Sequence, residues 1–225
     1  MPGRVHREAA GRRRRLDTPR PDGTVVRVLV ADENELTRTA IAARLDIEDD
    51  LEVVAQVADG RAAVDAALAW HPDVAVVDLA LPELDGLAFT AELARLLPAC
   101  GVVIVTEHGG PGYLKRALAA GVKGFLPKVG PGAKLVDVIR RVRDGGRYVD
   151  PVMAADALTA PDCPLTPRQL EVLRLAEYDT PVAVIAQRTN LSIGTVRNYL
   201  AAAVRKLGAA NRADACRIAR ANGWL

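Results

Sequence analysis

Short β-branched runs alternate with segments of helical spacing over the first two thirds of this chain, and the alternation then stops. Runs at 25–31, 51–57, 73–78, 101–106 and 122–126 predict strands. Apolar positions recurring every three to four residues at about 35–46, 60–70, 86–97, 112–120 and 132–144 predict helices. Five strand–helix units imply a doubly wound α/β fold, and right-handed crossovers leave a flavodoxin-like five-stranded parallel sheet as the natural topology for residues 25–146. After Gly145-Gly146, residues 147–163 carry Pro151, Pro161 and a short apolar segment from Val152 to Leu158, which predicts a partly helical linker. Residues 164–225 lack strand signals and predict a small all-α domain, with helices at about 167–177, 181–188, 193–207 and 211–221. Thr166-Pro167-Arg168-Gln169 marks its start, with Thr as N-cap, Pro in the first helical position and Gln placed to close a capping box.

A length of 225 residues, half of them hydrophobic, suits two ordinary domains with real cores. Residues 1–24 differ: they are rich in Arg, Pro and Gly with almost no bulky apolar side chain, and predict a disordered basic tail. The run Arg12 to Arg15 reads either as a solvated tail or as an arm that touches DNA. No apolar stretch approaches the ~20 residues that span a bilayer, and no apolar segment follows the N-terminal arginines, so the expectation is a soluble cytoplasmic protein without membrane attachment. Cys100, Cys163 and Cys216 are scattered and without metal-ligand spacing, which predicts reduced thiols.

The net charge of +2 conceals a division along the chain. Residues 25–150 hold fourteen Lys/Arg against nineteen acids, whereas residues 164–225 hold nine against four. A polyanion partner is therefore expected for the C-terminal part alone.

Polar groups at the predicted strand ends carry the chemistry. Asp78 closes Val74-Ala75-Val76-Val77, Asp32-Glu33 follow Val28-Leu29-Val30-Ala31, Thr106 closes Val102-Val103-Ile104-Val105, and Lys128 follows Gly124-Phe125-Leu126-Pro127. In a parallel sheet these C-terminal ends share one edge, so the groups can converge. Clustered carboxylates need a cation between them, and an oxygen donor set suits Mg²⁺. One carboxylate can then attack a phosphoryl donor while metal and lysine neutralise the transferred group and Thr106 donates to it.

In the C-terminal part, residues 181–188 predict a short helix with Ile185 and Ala186 toward a core, Thr189-Asn190-Leu191 a tight turn, and Ser192 the cap of a second helix. Two helices joined in this way within a basic domain suggest a helix-turn-helix that binds double-stranded DNA. Val196, Leu200, Val204 and Leu207 fall on one face, leaving Arg197, Asn198 and Ala201 on the outer one. Arg can read G and Asn can read A, while Lys206, Arg205 and the hydroxyls of Ser192 and Thr195 suit phosphates.

Residues 25–146 resemble a response-regulator receiver domain, on Val-Leu-Val-Ala-Asp-Glu, Val-Val-Asp-Leu-Ala-Leu-Pro-Glu-Leu-Asp-Gly, Val-Ile-Val-Thr and Ala-Gly-Val-Lys-Gly-Phe-Leu-Pro-Lys in that order. The resemblance implies that Asp78 is the phospho-acceptor, that Asp32, Glu33, Asp78 and the Ala80 carbonyl hold Mg²⁺, that Thr106 is the switch hydroxyl and Lys128 the phosphate-pairing cation, and that Phe125 is the switch aromatic. It implies a sensor histidine kinase as donor. The last 62 residues resemble the LuxR-type helix-turn-helix of the NarL/FixJ class, on Leu165 to Leu173, Ile185-Ala186, Leu191-Ser192, Gly194-Thr195-Val196-Arg197 and Arg205-Lys206-Leu207-Gly208. This implies base-facing positions at Arg197, Asn198 and Ala201 and a homodimer in the active state, and leaves RNA polymerase open as a further partner.

Two residues depart from the receiver pattern. Glu33 stands where the family usually has Asp, and its extra methylene moves the carboxylate by about a bond length. Glu107 follows Thr106 where a small residue is usual; it either narrows access to Asp78 and repels a phosphoryl group, or points to solvent and does neither. The expected function is a non-enzymatic transcription regulator switched by phosphorylation at Asp78. An alternative keeps DNA binding but dispenses with phosphorylation. A phosphohydrolase built on Asp78 would need an acid/base partner nearby, and Ala80 occupies the second position after it.

Overall fold

The computed structural model describes residues 25–107, 109–130 and 132–225, and the tail predicted for residues 1–24 lies outside them. Strands β1 (Val26–Ala31), β2 (Leu51–Val57), β3 (Val74–Asp78), β4 (Gly101–Thr106), β5 (Gly124–Pro127) and β6 (Tyr148–Val149) form one sheet of order β2-β1-β3-β4-β5-β6. Every pairing is parallel. Helices α1 (Glu35–Leu45), α2 (Gly60–Trp70), α3 (Gly86–Leu96), α4 (Pro111–Ala120) and α5 (Gly132–Arg143) connect the strands and cover both faces. Side chains alternate across a strand, so Leu29, Ala31, Ala75, Val77 and Ile104 pack with α2, α3 and α4 residues such as Ala63, Phe89 and Leu114. Val28, Val30, Val74, Val76 and Val103 pack on the other side with Leu45, Val138 and Ile139 of α1 and α5. Coverage of both faces is why β3 is buried at every position and reads as a continuous apolar run.

The sheet has six strands rather than the five expected. The sixth, β6, is only two residues long, too short for a periodicity, and arises because Tyr148 N–H donates to the Lys123 carbonyl and Asp150 N–H to the Phe125 carbonyl. Asp150 then caps helix α6 (Pro151–Thr159), its carboxylate accepting from Val152 and Met153 N–H groups. Met153 and Ala157 pack into the same core as α4. Residues 148–159, read from sequence as linker, thus add a strand and a helix to the α/β body.

Beyond it, α7 (Pro167–Leu175), α8 (Val182–Thr189), α9 (Ile193–Lys206) and α10 (Arg212–Ala221) enclose a separate core of Leu165, Val172, Leu173, Ile185, Val196, Leu200, Ala203, Ala215 and Cys216. The predicted capping box is present at Thr166 and Gln169. Asn190 closes α8 in the left-handed region at φ 52°, a conformation Asn tolerates. Ser192 caps α9 by accepting from Thr195 N–H at 3.0 Å. No helix among the described residues is long and apolar enough to cross a membrane.

Candidate functional site

Sheet register brings the predicted acids together. Ala31 of β1 lies beside Val77 of β3, so Asp32 emerges next to Asp78; Asp78 lies beside Val105 of β4, so Thr106 follows one step further. Lys128 N–H donates to the Thr106 carbonyl at 2.9 Å, which fixes the residue after β5 to the same edge. The Lys128 ammonium then reaches between the acids, 2.8 Å from Asp32 Oδ2 and 3.0 Å from Asp78 Oδ2. Asp32, Asp78 and Thr106 are 1%, 6% and 3% exposed, so this is a buried cluster at the mouth of the sheet. Burial pushes the Lys128 pKa down, but hydrogen bonds and charge from Asp32 and Asp78 outweigh it and the net shift is upward.

Helix caps flank the cluster. Asp32 also accepts from Asn34 N–H at 2.9 Å through its other oxygen, and Asn34 in turn caps α1. The Arg38 guanidinium donates to the Asp32 carbonyl at 2.7 Å. On the opposite side, Asp85 caps α3 by accepting from Ala88 N–H at 2.7 Å. Gly86 lets that helix start against the acid itself, since a β-carbon there would fall 2.5 Å from the Asp78 carbonyl oxygen. Asp-Gly before a helical segment is the signal in the sequence for the positioning roles of Asp85 and Gly86.

The donor set suits a hard cation. Mg²⁺ takes one or two carboxylates and keeps several waters, and Asp32 and Asp78 supply two buried carboxylates already aimed at one positive charge. Glu33 is exposed, and no group of three or more His, Cys, Asp or Glu side chains suited to a metal occurs among the described residues. The fit therefore rests on Asp32 and Asp78, with Ala80 in the loop two residues beyond. Glu107 is exposed, which favours the solvent-facing alternative. Phe125 is fully buried, inside the cluster that includes Ile104, Leu114 and Met153.

In the helical domain, Val196 and Leu200 are buried and Arg197, Asn198 and Ala201 are exposed on the opposite side of α9. Ser192 and Thr195 hydroxyls lie 2.8 Å apart at the start of the helix, so both are engaged in the cap as well as placed near its outer face. Lys206 sits differently from the phosphate-facing position expected of it: its ammonium donates to the Pro164 carbonyl and to Gln169 Oε1, each at 3.0 Å.

Two family models match the chain. One, described as the response regulator receiver domain, covers residues 28–140, and the other, described as bacterial regulatory proteins of the luxR family, covers residues 163–219. The chain is 38% identical to the response regulator RamR of Streptomyces coelicolor over 90% of its own length and 99% of that protein. It is 35% identical to the transcriptional regulatory protein DesR of Bacillus subtilis over 89% of its length and 100% of that protein. The crystal structure of the response regulator ChrA, from a heme-sensing two-component system, covers 90% of this chain and 100% of its own at 28% identity, with a TM-score of 0.54.

Proposed function

Because this chain belongs to the response regulators that carry a receiver domain and a luxR-type helix-turn-helix domain, we propose that a phosphoryl group accepted by Asp78 controls how its helical domain pairs and binds DNA. The observation that carries the proposal is the bridge from Lys128 to both Asp32 and Asp78 at the tips of neighbouring strands. The donor is a phosphohistidine of a sensor kinase: a carboxylate oxygen of Asp78 forms a bond to phosphorus, the bond from phosphorus to the histidine nitrogen breaks, and the nitrogen keeps the electron pair. Asp32 and Asp78 would hold Mg²⁺, which would supply neutralising charge for the incoming group. Lys128 loses one carboxylate charge when Asp78 is esterified and gains phosphoryl oxygens to pair with. Thr106, on the adjacent strand tip, would donate its hydroxyl to one of those oxygens. The added charge biases an existing equilibrium between two arrangements of the domain.

In the helical domain, α9 offers its exposed Arg197 and Asn198 to the major groove, with Ala201 beside them, while Ser192 and Thr195 at its first turn lie where phosphates pass. A homodimer reads two half-sites separated by about one DNA turn. Mass spectrometry after incubation with a small phosphodonor and Mg²⁺ tests the acceptor. One phosphoryl adduct is expected on the parent and none on Asp78→Asn; no adduct on the parent, or one that survives the substitution, refutes the assignment.

Two observations favour a second reading, in which DNA binding persists without phosphorylation. Glu33 stands outside the acid pair, and the Lys128 ammonium is already paired with both acids. DNA affinity that is high and indifferent to phosphodonor would select this reading.

A further inference from the structure

The first turn of α9 carries an apolar side chain that the helical domain does not use. Leu191 before the cap, and Val196, Tyr199 and Leu200 after it, belong to the helical-domain core or pack against it. Ile193 does not: it is 46% exposed at the first helical position, directly after Ser192. A branched aliphatic chain left half in water forgoes burial that would otherwise stabilise the fold. A lone exposed aliphatic is ordinary on a protein surface; this one stands at the tip of the helix that carries Arg197 and Asn198. Residues four apart on a helix are neighbours, so Ile193 lies one turn before Arg197.

The cap holds this turn in place and separates its polar side from its apolar one. Ser192 and Thr195 hydroxyls lie 2.8 Å apart, and Thr195 N–H donates to Ser192 Oγ at 3.0 Å. Each step turns an α-helix by about 100°, so residues two apart point nearly opposite ways. Ile193 therefore faces away from the Thr195 side chain: the hydroxyls take one side of the helix start and the aliphatic chain the other.

Gly194, next to it, opens outward. It has no left-handed φ, and a β-carbon there would meet only Ser192 Oγ, at 3.7 Å, an ordinary contact. Alanine would suit the helix better, and nothing among the described residues excludes it. A glycine that neither backbone geometry nor internal packing requires leaves room for a partner that approaches from outside. Gly194 is four residues before Asn198, so that room lies over the same face.

The outer strip of α9 thus sets two hydrogen-bonding side chains, Arg197 and Asn198, among Ile193, Gly194 and Ala201, whose side chains neither donate nor accept. Base pairs present donors and acceptors to the major groove and a single kind of apolar group, the 5-methyl of thymine. A polar base edge set against Ile193 would lose its water and gain no hydrogen bond. A methyl group there removes apolar surface from water on both sides. We propose that Ile193 is a specificity-determining residue, packing on the 5-methyl group of a thymine beside the base pair that Arg197 contacts. This deepens the reading of α9 as the DNA-contacting helix and rests on it.

Exchange of thymine for uracil removes that methyl group and nothing else, so it isolates the contact. With phosphodonor and Mg²⁺ present throughout, the full chain selects a preferred site from random duplexes, and each thymine of that site is then replaced by uracil in turn. The parent should lose about fourfold in affinity at one thymine of a half-site, as expected for one buried methyl group. Ile193→Ala should bind the thymine and uracil duplexes alike at that position, with its thermal unfolding midpoint and its preferences at the base pairs contacted by Arg197 and Asn198 unchanged. A selected site without thymine, a parent indifferent to uracil at every position, or an Ile193→Ala protein that discriminates as the parent does would overturn the contact and leave the DNA reading of α9 standing. A parent that selects no sequence would overturn that reading, and the contact with it.

Discussion

With Lys128 replaced by alanine, Asp32 and Asp78 would face each other as buried carboxylates with no cation between them. Removing one partner of a buried ion pair typically costs about 3–5 kcal/mol, because the charge left behind is neither solvated nor paired. Urea unfolding of Lys128→Ala should show a loss of that order, and added Mg²⁺ should recover part of it, since an ion bound by the folded state alone stabilises that state. A loss under about 1 kcal/mol would mean that the bridge behaves as a solvated surface pair. The identity of these residues was legible in the sequence because each ends an apolar run, and a parallel sheet brings such ends together. The direction of Glu107 was not, as a residue one step past a strand points where its loop sends it. The acceptors of Lys206 were hidden for a related reason. Its ammonium finds Pro164 and Gln169 across the domain, and nothing local to α9 encodes those acceptors.

Among the elements, α9 divides its work between a buried and an exposed side, and single substitutions should separate reading from support. Arg197→Ala should weaken binding to a specific site by about 1–3 kcal/mol and relax preference at the contacted base pair. Lys206→Ala should instead destabilise the helical domain by about 0.5–1.5 kcal/mol per hydrogen bond lost and leave base preference intact. Binding measured across a set of sites, alongside thermal unfolding, distinguishes the two; altered base preference in Lys206→Ala would contradict the placement of its ammonium. Helices and the five principal strands were readable because each carries a full period of its pattern. Strand β6 has two residues, and it exists only because the edge of β5 offers Lys123 and Phe125 carbonyls to pair with. Helix α6 was half visible: its apolar positions were plain, but their partner, the face of α4, is set by tertiary packing.

At the scale of the molecule, the acidic α/β body and the basic helical domain keep separate cores and meet where α10 ends on α4, with Gly112 N–H donating to the Asn222 carbonyl at 2.9 Å. That contact was hidden in the sequence. Gly110 and Gly112 lie more than a hundred residues from Gly223, and a glycine that allows close approach gives no local periodic signal. The division of charge, by contrast, was readable at once and predicts that DNA binding belongs to the helical domain and weakens steeply with salt. A phosphoryl group on Asp78 is proposed to govern that binding. DNA affinity at one fixed salt concentration, with and without phosphodonor and Mg²⁺, for the parent and for Asp78→Asn, tests it most directly. Tighter binding by the phosphorylated parent, with Asp78→Asn unresponsive, is the predicted result; an equal response from both proteins, or none from the parent, would contradict it.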